Sequence, residues 1–475
     1  MIWGLRDEME AVREQNTVLR QLVEALEKRN EQLRQELAGA EKRNEQLQQE
    51  LGAAEQRIGE LEKAKKGRPS FVKANKPERE GAKAPRRPRA KEENHGRKRA
   101  ETATRREEHR MERCPECSCK LRKERVAWRR EVIDLPPPQA VEVTEHVVFK
   151  GYCPKCGAWK YAKPGESGEM VGQRRFGTRL MALVGYLSES LRLPHETIQS
   201  YLKTMHEVEI SEGAITGLRS GLAAQLQPEA DRLKAEIRGS AIVHADETGW
   251  REDGQNGYVW VFSTPGEQGA RYYVFDHSRG QRVVTEVLGE EFQGVLGSDF
   301  YGAYNVYTGR HQRCWVHLLR DLHDLKEDHA QDDAVQSWAE ELRALYDRAQ
   351  AFVKAERHSQ EEQEKLYVAL CSEVERLGLL YARAEHPCRA LAKRVLRHQD
   401  ELFQFVLVAG LAADNNLAER SLRPLVVVRK ISGGTRSPQG SQTRMTLASI
   451  FATFTARGLN PFTECLALIR ANSCA

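Results

Sequence analysis

The stretch SAIVHADETGWRED, residues 240–253, passes within a few positions from an apolar run to a cluster of charge. Ser240 to Val243 reads as the start of a buried strand, and Asp246 then sets a carboxylate at its end. Burying an unpaired carboxylate costs on the order of several kcal/mol, so such a residue needs a partner, and a cation is a common one. The same pattern recurs in GVLGSDFYGAYN, residues 294–305, where an apolar run meets Asp299. Between the two, Tyr258–Ser263 and Arg271–Phe275 read as strands and Gln281–Leu288 as a helix. If the first and fourth strands (the latter Gly294–Gly297) lie side by side and parallel, Asp246 and Asp299 share one sheet edge. Acidic clusters at such an edge bind hard divalent cations through oxygen.

Asp after a strand is also a common turn residue, so a third element matters. LAADNNLAERSLRPLVVVRKISGG, residues 411–434, starts a helix capped by Asp414 or Asn415, with Glu419 in an early turn. Pro424 limits or kinks that helix. Arg420, Arg423, Arg429 and Lys430 surround Glu419, and basic groups beside a metal-binding carboxylate suit a phosphate substrate; otherwise they form a solvated face.

The 475 residues suffice for roughly three domains. A net charge of +5 conceals segregation, because residues 63–99 alone hold fifteen Lys or Arg against four Glu. Such a block suggests an anionic polymer as partner, or else a solvated linker. The N-terminus lacks an apolar signal core, and no run reaches the roughly 18 apolar residues of a membrane helix, so a cytoplasmic, nucleoid-associated protein is expected. Its cysteines are then thiols or metal ligands rather than disulfides.

Residues 5–61 form a heptad array without a slip: Leu5, Val12, Leu19, Leu26 and onward at one seam, Met9, Asn16, Val23, Asn30 and onward at the other. Asn16, Asn30 and Asn44 favour a parallel dimer, since paired amides satisfy each other only in register. Residues 1–66 are therefore expected to be a parallel coiled-coil dimerisation segment, and 67–112 a basic disordered linker. Cys114-x2-Cys117 and Cys153-x2-Cys156 then bracket strand-like runs, Glu124–Ile133 and Val141–Lys150, and can give four thiolates to one structural Zn²⁺. Cys119 could replace Cys117. This defines a zinc-ribbon-like module over 113–168. Residues 169–238 read as helices, including a helix–turn–helix pattern with Ser211 as cap; this is a DNA-binding region or two ordinary packed helices.

The chain resembles a transposase of the insertion-sequence 66 family, a branch of the DDE transposases with a ribonuclease H-like catalytic core. The strings that carry the likeness are HADETGW, GSDFYGAYN, CWVHLLRD and DNNLAERSLRPLVVVRK. The resemblance implies a catalytic triad of Asp246, Asp299 and Glu419 holding two Mg²⁺ or Mn²⁺ ions. The expected architecture is an α/β ribonuclease H-like core over 239–317 and 406–433, interrupted by an all-helical insertion at 318–405. A C-terminal helical tail covers 434–475. The insertion could hold DNA, order the active site or merely pack. His317, in Cys314-x2-His317, is either an active-site neighbour touching DNA phosphate or a carboxylate, or a core histidine.

The expected reaction nicks the ends of an insertion sequence and joins the 3′-hydroxyls to target DNA by two-metal phosphoryl transfer. Terminal inverted repeats, target DNA, a second copy of the chain and accessory proteins of the same element would be its partners, with no membrane. The rival readings are a ribonuclease H-like nuclease or resolvase, and a zinc-dependent DNA-binding regulator without catalysis.

Overall fold

The computed structural model describes residues 105–123, 138–162, 175–355 and 358–473, with scattered positions at 24–42 and 125–129. The expected coiled coil and most of the basic linker lie outside the described residues, as does most of the run expected as a strand over 124–133. The chain divides into two units, Met1–Ile133 and Asp134–Ala475.

In the second unit, β1 (Lys150–Cys153) and β2 (Ala158–Tyr161) form an antiparallel hairpin around the second cysteine pair. Gly157 closes it at φ +60°, a backbone state in which glycine carries no Cβ penalty. The strand expected over 141–150 is absent before Lys150. Val143, Val147 and Phe149 are exposed, so this alternating run has no buried face to hold it in a sheet.

Three helices follow: α1 (Thr178–Glu189), α2 (His195–His206) and α3 (Glu212–Gly239). Ser211 caps α3 as its sequence predicts, its Oγ accepting from Ala214 N at 3.2 Å. α3 runs on through Pro228, held by the buried Leu226, Ala230 and Leu233. Arg219 of α3 is buried rather than presented to a groove, and its Nη2 meets Glu189 Oε1 at 2.7 Å.

A five-stranded sheet follows, built of β3 (Ile242–Glu252), β4 (Gln255–Ser263), β5 (Arg271–Asp276), β6 (Val295–Ser298) and β7 (His311–Arg313). Its order is β5-β4-β3-β6-β7. The first three strands are antiparallel neighbours, and β6 and β7 add in parallel. Helix α4 (Arg282–Leu288) makes the crossover from β5 to β6. One strand expectation needs correction here, and one strand was not expected. β3 does not end at Asp246 but continues to Glu252, paired with β4 throughout. β7 has the sequence HQR, and its polar side chains are fully buried yet bonded, so hydrophobicity could not reveal it.

Strand alternation splits the sheet between two cores. Val243, Ala245, Trp260, Phe262 and Leu296 face a core shared with α1, α2 and α3. Trp250, Val259 and Val261 face α10 (Asn416–Ser432) through Ala418, Leu422, Leu425 and Val428. Between β7 and α10 the chain is helical, with α5 (Trp315–Asp328), α6 (Asp333–Lys354), α7 (Gln360–Tyr381), α8 (Arg389–Arg397) and α9 (Gln404–Leu407). These helices have their own core, which also takes Ile242 and Val295 from the sheet.

The C-terminal segment is part of the body rather than an appendage. α11 (Pro438–Ala456) and α12 (Pro461–Ser473) supply Leu447, Ile450, Phe451, Phe454 and Ile469 to the main core. α11 also closes the sheet edge at β5: Arg271 N donates to Thr453 Oγ1 and Tyr273 N to Ser449 Oγ, both at 2.9 Å. An edge covered in this way does not recruit another strand.

Candidate active site

The parallel ladder of β3 and β6 sets the site. It pairs Ile242 with Val295, Val243 with Leu296 and His244 with Gly297, then stops. Asp246 lies two residues past His244, and Asp299 two residues past Gly297, so the register brings the two carboxylates level. Gly297 is required by close approach, since a Cβ there would lie 2.6 Å from His244 Nδ1. By alternation Asp246 shares the sheet face of Trp250, the face covered by α10.

The start of α10 is fixed to β3 by Asn415, which is fully buried. Its Nδ2 donates to Ala245 O at 2.8 Å, its Oδ1 accepts from His244 Nδ1 at 3.2 Å, and its backbone N–H points to Cys314 Sγ at 3.2 Å. Asn415 is the N-cap residue but makes no side-chain cap bond; Asp414, one residue earlier, accepts from Asn416 N at 3.0 Å. α10 then runs unbroken through Pro424, because Leu422, Leu425 and Val428 are buried against the sheet. That burial offsets the roughly 3 kcal/mol a mid-helix proline costs.

Glu419 stands one turn into α10, with Oε1 3.9 Å from His317 Nε2 on α5. His317 thus stands near this carboxylate with its side chain 30% exposed, while its Nδ1 is buried without a hydrogen-bond partner. Burial raises the Asp246 pKa to about 7, and the charges of Glu247, Asp299 and Glu419 add to the rise, while the Glu247 N–H bond opposes it. The negative fields of Asp299 and Glu419 thus converge on Asp246. Among the described residues, no group of three or more His, Cys, Asp or Glu side chains is gathered tightly enough to hold a metal ion as it stands. The donor chemistry nonetheless fits a hard cation: oxygen ligands only, and a buried carboxylate whose ionisation its neighbours oppose.

Of the basic residues expected near DNA, Arg420, Arg423 and Lys430 are exposed. Arg429 is half-buried, and its Nη1 bonds Gly249 O and Thr248 Oγ1 on β3. Sequence reasoning missed Glu247, whose buried side chain binds Arg279 and Tyr304, and the inward role of Asn415. A second acid directly after Asp246, on the other face of a strand, was the available signal.

Each cysteine knuckle is built on its own. In the first unit, Cys114 N donates to Cys119 O and Ser118 N to Cys114 O, both at 2.9 Å. The Cys117 and Glu116 N–H groups hold the Cys114 thiol below its usual range. In the second, the Cys156 N–H does the same for Cys153. N–H groups aimed at sulfur favour thiolates, the form that binds metal.

Residues 173–443 match the family model described as "Transposase IS66 family", and residues 112–157 match "zinc-finger binding domain of transposase IS66". Two curated relatives come from Sinorhizobium fredii. The uncharacterized protein y4qI is 25% identical over 281 residues, covering 54% of this chain and 52% of the relative. The uncharacterized protein y4jO is 29% identical over 167 residues, covering 35% of this chain and 49% of the relative. The chain spans about half the length of the curated relatives it matches.

Proposed function

Because the chain belongs to the IS66 transposase family, we propose that it nicks the ends of an insertion sequence and joins the freed 3′-hydroxyls to target DNA. The observation that carries this reading is the β3–β6 register, which sets Asp246 level with Asp299, with Glu419 on the helix that covers the face of Asp246. Three acids from separate segments around one mixed sheet suit a ribonuclease H-like core. They leave no need for a serine or tyrosine nucleophile.

In this reading Asp246, Asp299 and Glu419 hold two Mg²⁺ or Mn²⁺ ions. Divalent ions bound there would activate water or a 3′-hydroxyl and stabilise the leaving oxygen. Asp246 would give up its proton to serve as a ligand there, since metal ligation requires the carboxylate. His317 steadies Glu419 across their 3.9 Å gap. Arg420, Arg423 and Lys430 lie on the exposed side of α10, where they receive the phosphate backbone. Arg429 braces α10 against β3 instead of reaching DNA.

Cys114, Cys117, Cys153 and Cys156 hold one structural zinc, and that module with the helices after it reads the terminal inverted repeats. The N-terminal coil pairs two copies and hence two DNA ends. Among the described residues, no helix is long and apolar enough to cross a membrane.

The test is a strand-transfer assay with labelled terminal DNA, a supercoiled target and Mg²⁺. The wild-type chain is expected to nick and join, and Asp246→Asn to bind DNA while doing neither. Hydrolysis without joining would replace this reading with a nuclease. Normal joining by Asp246→Asn would end it.

A further inference from the structure

Asp246 and Asp299 are held in the same way. Asp246 Oδ1 accepts the backbone N–H of Glu247 at 2.9 Å, and Asp299 Oδ1 accepts the backbone N–H of Tyr301 at 2.9 Å. The side chains of these two donor residues meet at a single third residue, Arg279, in the loop between β5 and α4. Arg279 Nε and Nη2 both donate to Glu247 Oε1, at 2.9 and 2.6 Å. Its guanidinium lies 3.9 Å from the centroid of the Tyr301 ring, and its backbone carbonyl accepts from Tyr301 Oη at 2.9 Å. Tyr304 closes the set by donating to the other oxygen of Glu247.

Glu247 points to the opposite sheet face from Asp246, so it cannot share in coordination from where it stands. Its side chain is 1% exposed, whereas that of Arg279 is 44% exposed. A buried carboxylate with one partially exposed guanidinium as its ionic partner is an expensive arrangement for stability alone. A planar fork stacked on an aromatic ring fixes direction as well as charge, which a lysine does not do.

We propose that Arg279 is a positioning residue for the metal-binding acids: it ties Glu247 to Tyr301 and so sets the spacing and orientation of Asp246 and Asp299. The inference rests on the reading of those two acids as metal ligands. Residues that orient ligands in this way typically change metal affinity by about ten- to a hundredfold when removed.

The experiment is direct Mn²⁺ binding to the full chain by electron paramagnetic resonance, with melting midpoints recorded in parallel. Asp246→Asn is the control on the functional reading. If wild type binds no Mn²⁺, or Asp246→Asn binds it as well as wild type, the site assignment itself fails. With that control passed, Arg279→Met is expected to weaken Mn²⁺ binding about tenfold or more, and Arg279→Lys to recover part of the loss. Tyr301→Leu removes the stacked ring but leaves the Glu247 ion pair and the N–H to Asp299, so it tests the idea if Arg279→Met does not fold. It is expected to weaken Mn²⁺ binding in the same direction at an unchanged midpoint. Wild-type Mn²⁺ affinity in a folded Arg279→Met or in Tyr301→Leu overturns the proposal and leaves the functional reading intact.

Discussion

Replacing Asp246 with Asn should make the metal-free protein more stable while removing its chemistry. Unfolded, the Asp246 carboxyl ionises near 3.8; folded, it keeps its proton to about 7, chiefly because it is buried and then because Glu247, Asp299 and Glu419 repel its charge. The folded state therefore binds more protons between those values, and stability falls as pH rises through them, levelling off above pH 7. At about 1.4 kcal/mol per unit, ionised Asp246 weakens the metal-free fold by roughly 4 kcal/mol. An amide has the same shape, still accepts the Glu247 N–H, and carries no charge. In EDTA at pH 8, Asp246→Asn should thus gain about 2–4 kcal/mol over wild type, and the gain should vanish near pH 4. Urea unfolding followed through the buried Trp250, Trp260 and Trp315 reads this directly. Adding Mn²⁺ at about 100 times its Kd should stabilise wild type by roughly 2.7 kcal/mol and leave the variant unmoved. An Asp246→Asn variant no more stable than wild type at pH 8, or equally favoured at pH 4, would refute the claim that Asp246 sits among converging charges.

The elements most legible in the sequence were those in which apolar pattern and polar punctuation agree. Val243 and Leu296 marked the two strands that lead to Asp246 and Asp299, and Ser211 marked a helix start. β3 looked shorter than it is because His244, Asp246 and Glu247 break the apolar run. Two of them have partners in distant segments: Asn415 for His244, Arg279 for Glu247. β7 stayed hidden for the same reason, its Arg313 and Gln312 satisfied by Asp299 O and Leu402 O. Pro424 suggested a break that tertiary burial overrides. Local pattern reports what a residue prefers, whereas buried polar groups report which distant residue arrives to pair with them.

Two further outcomes follow from the remaining clusters. Full-length protein should carry a single tightly held zinc by atomic emission, and Cys153→Ser should lose it while leaving the thermal transition of the sheet and its helices in place. The other concerns Glu189 on α1, whose side chain is 2% exposed and bonds Arg219 of α3 at 2.7 Å and Arg444 of α11 at 2.8 Å. Burial pushes its carboxyl up, yet Arg444 and Arg219 together hold it below 4.5, and neighbouring His195 is pushed down to about 4, chiefly by burial, and stays neutral. Glu189→Gln leaves two buried guanidiniums without a counter-charge, which should cost about 3–5 kcal/mol in urea unfolding at pH 7. Because the folded carboxyl is depressed, its contribution is present above the ordinary carboxylate range and lost as pH falls through the folded value. The deficit of Glu189→Gln should therefore shrink in acid. A loss under about 1 kcal/mol would mean that apolar packing alone joins α1, α3 and α11, and that the C-terminal helices are held to the body without this ionic tie.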